Sequence, residues 1–456
     1  MTRLIDINEI KHLLKLALPL LATQIVASLM FFTDTVMASR AGHVDMASVS
    51  IATGLWSPVI FAIQGLLISI TPVVAQLDGN QTVRNKKNKM VRAMHQGGYL
   101  ALLVCVFVLI LFQFSHVPLQ KLDLEPELYL KSQGYLDYVI WGLVPASLFF
   151  VLRGFCEGVS LTKPALVVSV VGLLANIPLN YIFVFGKFGA PELGGAGCGL
   201  ATALVQWVSF ISLLIYFLVS RKLKTFSSFS QFVPPRAKEI KQLGKIGIPI
   251  SLSLLFESTL FAFTALFIAP LGAIAVAGHQ VAFSYSAVVF MMPLSLSMAA
   301  TIRIGYLRGF GDMDKLKTAI KTCFVLATLF GLIVMMITYF SREAIIAIYT
   351  SEPQVMALAA SILVITAIYQ LPDAIQVMSA GIFKGLKITK PLFYITFIAY
   401  WPIGFLFGYF LGRTDVIVPA MGPQGFWIGI VIGLTSASLM FIVKLRSTIK
   451  KLELAD

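Results

Sequence analysis

The chain has 456 residues, of which 58% are apolar and only 12% charged, and its mean hydropathy is +0.88. A soluble domain of this length keeps far more charge on its surface, so a soluble globular fold is excluded. The formal net charge of +14 then speaks of loop topology and not of nucleic-acid binding.

Apolar runs of about 20 residues, the length a helix needs to cross a bilayer, recur throughout. In chain order the predicted spans are 13–37, 47–77, 93–114, 132–152, 164–184, 195–219, 246–268, 277–302, 318–339, 354–380, 391–411 and 424–443. The first lacks a small-residue cleavage site and is followed by further spans, so it reads as a span and not as a signal peptide. The second is long and contains Pro58 and Pro72, which predicts one bent or tilted helix with its cap. The fold class is an all-α membrane protein with twelve transmembrane helices. Cys105, Cys156, Cys198 and Cys323 are scattered without a CxxC pair and read as packing residues.

Basic residues orient the spans. With the N-terminus inside, the inner segments carry 29 of the 35 Lys and Arg, among them Arg84–Arg92, Arg221–Lys245 and Arg303–Lys321. The outer segments carry Arg40, Lys121, Lys131, Lys187, Arg342 and Arg413, which are 6. That split follows the positive-inside rule, puts both termini in the cytoplasm and leaves no basic residue for the interior of a span.

The sequence also repeats. "EIKHLLKLALP" at 9–19 returns as "EIKQLGKIGIP" at 239–249, and "GVSLTKP" at 158–164 returns as "GLKITKP" at 385–391. Gly194 and Gly197 then fall on Gly422 and Gly425. Each half holds six spans, an even number, so the halves share one orientation, as parallel repeats do. The expected organisation is an N-terminal six-helix lobe over 1–220, a cytoplasmic linker over 221–245 and a C-terminal six-helix lobe over 246–456. Two such parallel-repeat bundles around a central cleft are the usual build of an alternating-access transporter.

Acids stand out inside the spans: Asp34, Glu257 and Asp373. Glu257 lies twelve residues past Lys245, or about 18 Å along a helix, which is mid-membrane. Asp373 is similarly deep, whereas Asp137 reads as interfacial. An acid at the centre of a span costs at least about 2.5 kcal/mol, and without a basic partner it holds either a proton or a cation. Tyr369 and Asp373 share a helix face. With Glu257 from another helix they offer hard oxygen ligands suited to Na⁺. Asn176 and Asn180 flank Pro178, also one turn apart, and are placed to form a polar network with Asp34 or to act as interhelical glue. His279 and Gln280 read as structural.

"LMFFTDTVMAS", "ITPVVAQLDG", "SLTKPA", "NIPLNYIFVFGKFGAPELGGAGCG", "LFESTLFA" and "AIYQLPDAIQV" together resemble the multidrug and toxin extrusion (MATE) family, and its bacterial NorM branch most. The resemblance runs from about residue 9 to 445. It implies a twelve-helix antiporter that expels cationic, often aromatic, drugs in exchange for Na⁺ or H⁺. It also implies coupling roles for Asp34, Glu257, Asp373 and Tyr369, and a polar role for Asn176 and Asn180. Some other MATE branches carry an additional acid in the fifth span, where this chain has only amides.

The resulting expectation is a secondary active multidrug efflux transporter of the bacterial inner membrane, with Na⁺ at Glu257, Asp373 and Tyr369. It would have no cofactor beyond the coupling ion and would act as a monomer. Its partners would be cationic small-molecule drugs, Na⁺ or H⁺ and membrane lipids, with no nucleic acid. Two rival readings stand beside it. A lipid or polysaccharide flippase usually has a more basic cavity. An intramembrane enzyme would need a catalytic constellation, and no H-E-x-x-H motif is present.

Overall fold

The structure, a computed structural model, describes residues 6–226, 233–416 and 418–454. Arg3 and residues 227–232 of the expected linker lie outside them. Among the described residues there are twelve helices long and apolar enough to cross a membrane, and no strands. They are α1 (Ile7–Ala41), α2 (His43–Gly79), α3 (Lys86–Gln120), α4 (Pro126–Gly158), α5 (Lys163–Phe185) and α6 (Gly195–Val219), followed by α7 (Ala237–Leu271), α8 (Ala273–Phe310), α9 (Met313–Tyr349), α10 (Pro353–Gly385), α11 (Lys390–Arg413) and α12 (Pro423–Glu453). Each contains one predicted apolar run. Most extend well past it, because polar first and last turns continue the helix outside the hydrocarbon. Helical backbone throughout is what the solvent demands: hydrocarbon offers no partner to an unpaired N–H or C=O.

α2 departs from its prediction in an informative way. Its first piece ends at Leu67 and its second starts at Ile70, so the break lies at Ile68–Ser69, just ahead of Pro72. Pro58 sits within continuous helix. The second piece is packed tightly on α4: a Cβ at Gly158 would fall 2.6 Å from the Val74 Cβ.

The repeat is visible in the backbone. Gly194 has φ 55° and ψ -133°, and Gly422 has φ 62° and ψ -137°. Gly194 N–H donates to Val184 O, while Gly422 N–H donates to Gly412 O. Gly197 and Gly425 then donate to the carbonyls of Gly194 and Gly422. The "TKP" turns match as well. Ser160 and Lys387, both left-handed at φ 61° and 58°, occupy equivalent places. Beside them, Leu161 N–H donates to Cys156 O as Ile388 N–H does to Phe383 O.

Two compact units emerge from the packing, Leu18–Ser251 in one and residues up to Ala17 with Leu252 onward in the other. Their borders differ from the expected 220 and 246. Residues 237–245 are not linker but the first turns of α7, and the borders fall within α1 and α7. Ion pairs explain this. In the first unit Arg92 Nε donates to Glu239 Oε2 at 2.8 Å, and Gly247 packs so closely on Leu66 that a Cβ would meet its carbonyl oxygen at 2.2 Å. In the second unit Arg303 Nε donates to Glu9 Oε2 at 2.8 Å. Glu9 and Glu239 are the same position of the repeated "EIK".

The first unit's core gathers Leu67, Ile70, Met90, Leu143, Phe155 and Phe217. In the second, α11 and α12 approach backbone to backbone through Gly404, Gly408 and Gly412 against Gly425, Gly429 and Gly433. A Cβ at Gly429 would lie 2.3 Å from the Gly408 Cα. Such small-residue ladders let apolar helices gain close van der Waals contact in lipid.

Gly194→Ala and Gly422→Ala should both lower the thermal unfolding temperature of the purified protein, since each forces a side chain into backbone space that costs about 1–3 kcal/mol. Gly194→Ala should lose more. Its methyl group would fall 2.2 Å from Asp45 Oδ1, whereas the nearest neighbour at Gly422 is 3.9 Å away. Equal losses would show that side-chain crowding at Gly194 is relieved at no cost.

Candidate functional site

In the unit formed by Leu18–Ser251, one carboxylate organises a polar cluster. Asp34, half-buried on α1, accepts from Asn176 Nδ2 at 2.9 Å and from Asn180 Nδ2 at 2.7 Å, both on its Oδ1. Its Oδ2 accepts from Thr202 Oγ1 of α6 at 3.4 Å. Thr202 is also bonded to the phenol of buried Tyr135 on α4. Asn176 and Asn180 stand one turn apart on α5, either side of Pro178. Proline lacks an N–H, so the carbonyl one turn earlier is left without its helical donor. Both asparagine amides turn their nitrogens on Asp34, which leaves the two side-chain carbonyl oxygens buried and without hydrogen-bond partners among the described residues.

The second unit holds the other two acids. Glu257 on α7 is half-buried, and Tyr369 and Asp373 on α10 are buried. Glu257 and Asp373 act electrostatically on each other and on the Tyr369 hydroxyl, so the three form one cluster. Tyr369 is bonded to Ser286 of α8 and meets the Trp427 ring edge-on at 6.2 Å between centroids. Several buried polar atoms here have no partner among the described residues: Asp373 Oδ2, Gln376 Oε1, Gln370 Nε2 and the hydroxyl of Tyr400.

Two basic residues outside the predicted apolar runs are nevertheless part of the helices. Lys384, in the last turn of α10, lies within electrostatic reach of Glu257. Arg153 is buried in α4 and donates from Nε to Glu157 Oε1 at 2.7 Å. In both cases the helix continues beyond the apolar run that defined the span. His279 is buried and its Nδ1 accepts from the Trp427 indole N–H at 3.2 Å, which holds the neutral ring with its proton on Nε2. Among the described residues Gln280 reaches Ser284, at 3.3 Å. Asp137 is exposed and accepts from Gln133 at 2.8 Å. The four cysteines are buried and free.

Tyr135 and Thr202 join the first cluster, and Tyr400 lies within electrostatic reach of the second, without having been singled out in the sequence. Thr202 stands near the "GGAGCG" turn that the repeat had marked. Tyr400 carried no signal beyond its closeness to Pro402. Among the described residues no three His, Cys, Asp or Glu side chains come together as a metal site. What the clusters offer is carboxylate, amide and phenol oxygen, the donor set of hard cations and of proton exchange.

The MatE family model matches residues 19–182 and 249–410. The chain belongs to the MATE family of transporters. It is similar to the multidrug resistance protein MdtK of Yersinia enterocolitica serotype O:8 / biotype 1B (strain NCTC 13174 / 8081), with 43% identity over 442 residues and 96% of each chain covered. MdtK of Yersinia pestis (strain Pestoides F) is 44% identical over the same length and share. Among solved structures, the eukaryotic MATE transporter AtDTX14 superposes with a TM-score of 0.84 at 20% identity, over 96% of this chain and 95% of that one. A MOP superfamily transporter from Pyrococcus furiosus gives 0.86 at 21%, over 97% and 96%. These structures establish the fold. Family membership makes the chain a multi-pass membrane transporter and not an enzyme.

The two MATE repeats do not duplicate their chemistry. By the offsets of the repeat, Asp34 corresponds to Thr264, Glu257 to Ala27 and Asp373 to Ala146. Asn180→Ala should lower the thermal stability of the purified protein by about 1.5–3 kcal/mol, the usual worth of a hydrogen bond to a charged group. It should do so much less in an Asp34→Asn background. Additive losses in that double-mutant cycle would mean the two side chains are not coupled.

Proposed function

We propose that this MATE protein exports cationic, aromatic drugs from the cell in exchange for Na⁺, with H⁺ competing at the same acids. The observation that carries this reading is the cluster of Glu257, Asp373 and Tyr369. It holds two carboxylates in one unit, and neither forms an ion pair among the described residues. Asp373 Oδ2, and Gln376 Oε1 three residues on along α10, are buried without hydrogen-bond partners among the described residues. Carboxylates in a water-poor setting need positive charge, and a mobile cation supplies it reversibly. The names of the MdtK relatives, multidrug resistance proteins, support drug export. Among the described residues no Lys or Arg other than Lys384 lies within electrostatic reach of these acids, which suits a cationic cargo better than the anionic head groups of a flippase.

Coupling follows from differential affinity. A ligand shifts a conformational equilibrium only as far as it prefers one state. Na⁺ bound at Glu257, Asp373 and Tyr369 favours the outward-open state and drug release, and drug bound from inside favours return. Both termini face the cytoplasm of a bacterial inner membrane, and the protein acts as a monomer built from an N-terminal and a C-terminal lobe.

A second reading puts a cation at Asp34. It is favoured by the buried, unpaired carbonyl oxygens of Asn176 and Asn180 beside that carboxylate.

Glu257→Gln and Asp373→Asn should each reduce ethidium export to the level of cells lacking the transporter, with membrane expression unchanged. In the purified protein Na⁺ should displace ethidium, more weakly as the pH falls because protons compete. Asp373→Asn should abolish the displacement. Loss of displacement in Asp34→Asn with retention in Asp373→Asn would move the site to the other unit. For topology, an impermeant thiol reagent should label Arg221→Cys only from the cytoplasm and Lys121→Cys only from outside, in a protein freed of its four cysteines. Reversed labelling would invert the orientation.

A further inference from the structure

α11 is not a regular helix. Between Ala399 and Phe405 it widens into a π-helical stretch, AYWPIGF, with Pro402 inside. Such stretches are rare and recur at functional sites, because the wider turn re-aims the side chains along it. Here it is clamped: a Cβ at Gly433 of α12 would lie 2.8 Å from the Ala399 carbonyl oxygen and 3.0 Å from the Gly404 Cα. The close approach of α12 holds the widened backbone in place.

The residue this stretch presents is Tyr400. Its side chain is fully buried, and its hydroxyl has no hydrogen-bond partner among the described residues. Burying an unpaired hydroxyl costs about 1–3 kcal/mol, and a phenylalanine would fill the same space without that penalty. The hydroxyl lies within electrostatic reach of both Glu257 and Asp373. Two more unpaired buried oxygens, Asp373 Oδ2 and Gln376 Oε1, lie three residues apart on α10. Tyr369 differs, because its hydroxyl is already engaged by Ser286.

We propose that the Tyr400 hydroxyl is a ligand of the coupling cation, brought to the carboxylates of Asp373 and Glu257 by the π-helical stretch of α11. This rests on reading that cluster as the ion site. A phenol oxygen is a neutral hard donor, so it adds a ligand without adding charge. Tyr400 would thus raise affinity for a monovalent cation without making the site hold a bound proton more tightly by charge.

The test compares Tyr400→Phe, Asp373→Asn and the unaltered protein, purified, by Na⁺-dependent displacement of ethidium. It also measures ethidium affinity without Na⁺ and thermal unfolding. In Tyr400→Phe the Na⁺ concentration for half displacement should rise about tenfold, the scale of one lost polar contact to a charge. Ethidium affinity without Na⁺ should stay within about twofold, and the unfolding temperature without Na⁺ should not fall. A purely packing role would shift stability or drug affinity and leave the Na⁺ midpoint alone. An unchanged Na⁺ midpoint in Tyr400→Phe, with the Na⁺ effect lost in Asp373→Asn, would overturn the role of Tyr400 and keep the site. A normal Na⁺ response in both variants would overturn the site and this inference with it. If Tyr400→Phe does not reach the membrane, 4-fluorophenylalanine at position 400 keeps a para substituent of similar size but has no hydroxyl oxygen to offer a cation. A raised Na⁺ midpoint would then support the role of Tyr400, and an unchanged one would overturn it.

Discussion

A chain in hydrocarbon must satisfy every backbone N–H and C=O from within itself, because each one left over costs several kcal/mol and there is no water to help. That constraint makes twelve helices the default here and gives each departure from helix a meaning. There are few. α2 breaks at Ile68–Ser69, α11 widens at Ala399–Phe405, and the turns at Gly194 and Gly422 redirect the chain between helices. At each of these places glycine or proline is at hand. At Gly194 and Gly422 the same strained turn and the same hydrogen bonds occur twice, a mark of duplication deeper than the matching letters.

On this duplicated scaffold the charged chemistry is single. Asp34 is held in a shell of donors from α5 and α6, with both carboxylate oxygens engaged. Asp373 keeps an oxygen without a partner, and Glu257 has Lys384 within electrostatic reach. The first is a carboxylate met on both oxygens by neutral donors; in the second, one carboxylate oxygen has no hydrogen-bond partner among the described residues. Since neither set has an equivalent in the other repeat, the halves are alike in backbone and different in the side chains they carry.

The sequence announced the twelve spans because apolar length is a direct readout of bilayer thickness. It announced the deep acids because a carboxylate in an apolar run must be answered by a proton, a cation or hydrogen bonds at that depth. Helix ends were hidden, since polar turns outside the hydrocarbon look like loops: residues 237–245 read as linker although they open α7. The Arg92–Glu239 and Arg303–Glu9 pairs join residues 147 and 294 positions apart, and no local pattern encodes such partners. Tyr400 was hidden for another reason. A tyrosine in a membrane helix is common, and the widened backbone that gives this one its place leaves no periodic trace.

The placement of α1 and α7 has a consequence for synthesis. The turns around Glu9 leave the ribosome before any other described helix, yet the arginine that receives them lies 294 residues later. The unit containing Leu18–Ser251 likewise stays unfinished until translation has passed the six spans of the first repeat and entered α7. Domains of most chains can fold in the order they are made. Here the earliest segment belongs to the latest unit, so the amino end of α1 must wait, inserted but without its final partner, until α8 has been made.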